Sequence, residues 1–151
     1  MQPQNASDGK YQLKVSGTAK PRTIVHNNVF YVDSTQTGTK PVLHKLWTDW
    51  PDQTSYYNNV FYLLGPSPSF DLGGSTNNLF SSNLYYGSPI NNKPVDPYAV
   101  NANPDMVAPG TGPSTGYKLQ TGSAAIAKGK LIPTTPAFDY FQSPINQANR
   151  H

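Results

Sequence analysis

The sequence predicts an all-β fold built as a solenoid, and three observations carry that expectation. First, charged residues make up only 13% of the 151 residues, and glutamate is absent. Ordinary globular chains carry roughly 25% charged residues. Alanine and glutamate, which favour helices, are scarce, while Gly, Pro, Asn, Ser and Thr interrupt the chain every few positions. Second, aromatics reach 12%, too many for a chain that stays unfolded, and short runs rich in Val, Tyr and Phe suit strands. Third, "NNVFY" occurs at Asn27–Tyr31 and again at Asn58–Tyr62, and "NLYYG" echoes it at Asn83–Gly87. The separations are 31 and 24 residues. Self-similarity at such a period signals stacked supersecondary units.

Taken in order, residues 1–22 are polar and form a lead-in, with "KYQLKVSG" as an N-terminal edge strand. "TIVHNNVFYVD" reads as a strand, "STQTGTK" as a loop and "PVLHKLW" as a second strand. "TDWPDQTS" is a loop, "YYNNVFYLLG" a third strand, and "FDLGG" a short fourth. "STNNLFSSNLYYG" supplies one or two more. The coils therefore span residues 23–87, about three of them. Residues 88–151 are rich in Pro, Asn and Gly and read as an irregular C-terminal capping segment of the same domain.

Parallel stacking would place equivalent residues about 4.8 Å apart in columns. Val29, Val60 and Leu84 form an aliphatic column, expected to face inward. Phe30, Phe61 and Tyr85 form a second column, and Tyr31, Tyr62 and Tyr86 a third. Asn28, Asn59 and Asn83 are expected to form a structural ladder. Asparagine tolerates turn geometry, and stacked amides bond to one another.

The charge is +3 and the cations are scattered, whereas a nucleic-acid surface needs them concentrated. Cysteine is absent, which excludes disulfides and thiolate metal sites. No stretch is long and apolar enough to span a membrane, and no signal peptide opens the chain. His26, His44 and His151 lack ligand spacing, so neither a metal nor a cofactor is expected. Carboxylate chemistry would have to use aspartate. Asp49 and Asp52 lie beside Trp47 and Trp50, and Asp71 lies on the fourth strand. These three acids are the weak catalytic candidates, because a glycosidase needs two carboxyls about 5–10 Å apart. Trp47, Trp50, Tyr56 and Tyr57 are the candidate carbohydrate-binding residues.

"GYKLQTGSAAIAKGK" followed by "FDYFQSPI" resembles the closing segment of right-handed parallel β-helix proteins of the pectate-lyase-like group. Gly116, Tyr117, Leu119, Gly122, Ser123, Ala125, Ile126 and Gly129 match the first part of that pattern, and Asp139, Tyr140 and Pro144 the second. "NANPDMVAP" at Asn101–Pro109 is similar to the segment that precedes it. Ala124 stands where proline is usual, and Asn103 where aspartate is. The resemblance covers about residues 24–150. It implies the C-terminal part of an exported, secreted or cell-surface protein that acts on polysaccharide as a glycoside hydrolase or lyase. The catalytic residues would then lie on upstream coils outside this chain, which would be mainly structural. A non-catalytic carbohydrate-binding, adhesin-like or structural solenoid is the alternative. In either case upstream coils, a second chain or self-association are expected to cover the N-terminal face.

Overall fold

The computed structural model describes residues 23–36, 42–43, 52–66, 68–133 and 136–145. Among them are eight short strands: β1 (Ile24–His26), β2 (Val29–Val32), β3 (Val42–Leu43), β4 (Ser55–Tyr57), β5 (Val60–Leu63), β6 (Phe70–Asp71), β7 (Leu79–Ser81) and β8 (Leu84–Gly87). Among these residues, helical structure is limited to one 3-10 turn at Ser114–Tyr117. The chain is therefore all-β. The expected lead-in, residues 1–22, lies outside the described residues.

Strands pair across repeats rather than within them. The sheet orders are β1-β4-β7, β2-β5-β8 and β3-β6, and every pairing is parallel. Val29 faces Val60, which faces Leu84. Ile24 faces Ser55, which faces Leu79. The sequence separations of 31 and 24 in the repeated motif are thus the ladder register in two sheets. Bridges from Ser69 to Asn91 and from Leu84 to Val100 carry parallel pairing one step further.

The two strands read across "NN" each prove to be two strands joined by a corner, while of "PVLHKLW" only Val42–Leu43 lie within the described residues. "TIVHNNVFYVD" breaks into β1 and β2, and "YYNNVFYLLG" into β4 and β5. The break falls at the same place in each layer. Asn27, Asn58 and Ser82 all adopt left-handed backbone, with φ of 55°, 55° and 61°. Asparagine suits this because its short polar side chain offsets part of the steric cost. The two asparagines of "NN" therefore divide the labour. The first turns the chain, and the second enters the ladder.

The inward column is aromatic, which reverses the expectation for Val29, Val60 and Leu84. Phe30, Phe61 and Tyr85 are buried in one cluster with Val32, Leu63, Tyr56, Phe70 and Phe80. Val29 is 40% exposed. Leu84 is buried but stands outside that cluster. Period-2 alternation groups the residues of each face without choosing which face is the inner one. Positions 30 and 32 share a face, so Phe30 goes inward with Val32, and Phe61 with Leu63. Flat rings also suit the strand spacing. Phe30 stacks on Phe61 at 4.9 Å, and Phe61 on Tyr85 at 5.2 Å. Those centroid distances are close to the 4.7–4.9 Å between strands. Tyr56 stacks on Phe80 at 4.5 Å. Phe70 meets Phe61 and Phe80 edge-on at 5.3 and 5.6 Å and fills the space between the two stacks.

The C-terminal segment folds back over the outer face. Tyr62 and Tyr86 stack there, Tyr31 tilts against Tyr62, and Tyr117 packs edge-on against Tyr31. Gly110 lies directly on the Tyr31 ring at φ +83°, where a Cβ would strike the ring. Asn58 clamps the segment a second time. Its Nδ2 donates to the Lys130 carbonyl at 2.8 Å, and its Oδ1 accepts from the Lys130 N–H at 2.7 Å.

Candidate functional site

The corner asparagines form a continuous, directional chain of hydrogen bonds. The backbone N–H and Nδ2 of Asn28 both donate to Asn59 Oδ1, at 3.2 and 3.1 Å. The same two groups of Asn59 donate to Asn83 Oδ1, at 3.0 and 2.9 Å. Those of Asn83 donate to the Asp96 carboxylate, at 3.0 and 2.8 Å. Asn59 and Asn83 are fully buried. Their remaining amide hydrogens reach back to the preceding layer: Asn59 Nδ2 donates to the Val25 carbonyl at 2.9 Å, and Asn83 Nδ2 to the Tyr56 carbonyl at 3.0 Å. Buried amides are stable only when paired in this way.

Asp96 closes the ladder, and sequence reasoning missed it. Besides the Asn83 donors, its carboxylate accepts from the Ser82 and Tyr98 N–H groups, at 3.0 and 3.1 Å. A carboxylate accepts and cannot donate, so it ends a donor-to-acceptor chain. "KPVDPY" carries no repeat of the corner motif, so only the fold brings Asp96 under Asn83. The Tyr85 hydroxyl, 3.4 Å from Asp96, is held well above the usual tyrosine range, chiefly by burial and then by the Asp96 charge. Burial alone raises Tyr56 in the same way.

The site residues expected from the sequence are described only in part. Asp49, Trp47 and Trp50 lie outside those residues. Asp52 Oδ1 accepts from the Thr76 N–H of the next layer at 2.7 Å, so it stitches a turn. Asp71 lies on β6, with its backbone opposite Leu43. Tyr56 is 1% exposed and sits in the core under Phe80, where no sugar can reach it. Tyr57 is half-buried beneath the Lys130 ammonium, 4.7 Å from its ring centre. Other aspartates also serve the backbone. Asp33 accepts from the Thr35 N–H at 2.7 Å, a bond that holds its carboxyl below the usual range. Asp139 Oδ1 accepts from Phe141 and Ser143, each at 2.8 Å. No group of three or more His, Cys, Asp or Glu side chains converges among the described residues. None of their helices is long and apolar enough to cross a membrane.

A groove of about 1410 Å³ lies between the first layer and the C-terminal segment. The first layer contributes His26–Tyr31 to its wall, and the C-terminal segment contributes Tyr117, Lys118, Phe138, Asp139, Tyr140 and Phe141. Tyr140 is 77% exposed and Phe138 52% exposed. His26 is half-buried, and its Nδ1 is buried without a hydrogen-bond partner. No signal in the sequence marked this groove, because its walls lie about 100 residues apart and meet only on folding. No family model matches the sequence, and no curated protein or solved structure matches it either.

Proposed function

We propose that this chain is the non-catalytic C-terminal part of an exported right-handed parallel β-helix protein that engages polysaccharide. The asparagine ladder carries the reading: parallel layers in constant register, with amides stacked at one corner and a carboxylate closing the far end. A solenoid of this kind needs a terminal cap, and Asp96 with the folded-back segment supplies one. The carboxylates of Asp33, Asp52, Asp96 and Asp139 hold turns and layers.

The groove supports the ligand class. Exposed rings at Phe138 and Tyr140, beside Asn27, Lys118 and Asp139, offer flat apolar faces next to hydrogen-bonding groups. Sugar rings have the same mixture of apolar faces and hydroxyl edges, and ligand sites pair apolar walls with a few polar groups. Calorimetric titration of the full chain against a panel of neutral and acidic oligosaccharides tests this. Binding to one class, weakened at least tenfold in Tyr140→Ala or Phe138→Ala with the melting temperature retained, is the expected result. Unchanged affinity in both variants would remove the groove as the site.

A further inference from the structure

We infer that the edge formed by β1 and β2 is a receptor for one further parallel layer of polypeptide, and that this layer must carry asparagine at its corner. The inference deepens the β-helix reading above and rests on it. Its basis is the polarity of the ladder. Every rung donates two hydrogens to the oxygen of the rung that follows, and Asn59, Asn83 and Asp96 each receive such a pair. Among the described residues Asn28 Oδ1 receives none.

The amide of Asn28 supplies a second, independent sign. In Asn59 and Asn83 the other Nδ2 hydrogen reaches a carbonyl of the preceding layer, Val25 or Tyr56. In Asn28 it turns to its own corner and donates to the His26 carbonyl at 2.8 Å. The first rung therefore uses a local substitute for the carbonyl that a preceding layer provides elsewhere. A layer placed above it would offer that carbonyl together with an N–H and an amide aimed at Asn28 Oδ1. Ile24 and Val29, 48% and 40% exposed on this edge, would gain cross-strand neighbours.

The same polarity decides against a second copy of the chain. The far end of a copy finishes in the Asp96 carboxylate, which offers no side-chain donor. Two first layers set head to head would place the Asn28 oxygens acceptor against acceptor. Residues 1–22 contain one asparagine, Asn5, followed by Ala-Ser-Asp rather than by strand-forming residues. The occupant is thus a separate segment of the form aromatic-Asn-Asn-aliphatic-aromatic.

The test uses the full chain and a lysine-flanked synthetic peptide with the sequence of residues 55–63, SYYNNVFYL. Fluorescence anisotropy should show saturable binding. Replacing the second asparagine of the peptide by alanine removes the side-chain donor to Asn28 Oδ1 but keeps the backbone N–H, and should weaken binding about fivefold; Asn28→Ala in the chain removes the acceptor of both donors and should weaken it about thirtyfold. Failure of the peptide to bind a folded chain would overturn the inference, as would equal affinity of the alanine peptide. So would sedimentation showing that the chain alone associates through this edge. If Asn59→Ala strongly destabilises the chain while the peptide does not bind, the layered reading stands and only the receptor inference falls.

Discussion

Replacing Asn59 by alanine puts the ladder to the most direct test. Asn59 is fully buried at the middle rung. Its side chain makes four hydrogen bonds: two accepted from Asn28, one donated to Asn83, and one donated to the Val25 carbonyl. Alanine keeps only the backbone donation to Asn83 Oδ1. Each lost bond is worth about 0.5–1.5 kcal/mol net. Water reaches the exposed Asn28 side and offsets part of the loss, which leaves about 3 kcal/mol. Domains of this size have total stabilities of roughly 5–15 kcal/mol, so the variant should be markedly less stable. It should melt about 6–12 °C lower, at roughly 2–4 °C per kcal/mol. Urea unfolding followed by tyrosine fluorescence gives the free energy directly. Asn28→Ala is the control. That residue is exposed at the first described rung, and its replacement should cost about 1 kcal/mol. If Asn59→Ala costs no more than Asn28→Ala, the ladder does not hold the layers together and the reasoning fails.

Three further outcomes follow from the same geometry. Asp96→Asn would set an amide where one carboxylate oxygen now accepts from Asn83; it should cost about 2–3 kcal/mol in urea unfolding, since bonds to a charged acceptor are the stronger kind. Phe61→Ala opens a void between Phe30, Tyr85 and Phe70 and should cost about 3–5 kcal/mol, with loss of near-ultraviolet dichroism as the readout. Burial raises Tyr56 and Tyr85 above their ordinary value of 10.0. A raised folded-state value means that the stability is fully present below pH 10 and is lost as pH rises beyond it. Melting temperature should therefore change little from these two groups up to about pH 9 and fall above pH 10. Tyr85→Phe should blunt that fall.

Much of the fold is legible in the residues because parallel stacking copies a chemical requirement from layer to layer. A corner that needs left-handed backbone and a stacked amide will accept "NN" each time it occurs, so the repeat at Asn27 and Asn58 could be read directly. Where another residue meets the need, the signal fades. Ser82 replaces the first asparagine in the third layer with φ of 61°, and Asp96 replaces the second one in the last. The candidate acids were less legible. Proximity of Asp49 to Asp52 along the chain says nothing about which backbone N–H groups will claim each carboxylate, and Asp52 is bound to Thr76, 24 residues away.

By itself the sequence determined the class of structure and its period. Composition argued against long helices, and the motif spacing matches the register of two sheets. Which column faces inward was decided only by tertiary structure, because alternation fixes that Phe30 and Tyr31 point opposite ways but not which side the chain will close around. The stacked rings of Phe30, Phe61 and Tyr85 took the interior, where they pack with Val32, Leu63, Phe70 and Phe80. Tertiary structure also brought Asp96 under Asn83 and laid the C-terminal segment beside His26–Tyr31. Both contacts join residues with no shared pattern, and they form because buried donors and exposed rings must find partners that local sequence does not name.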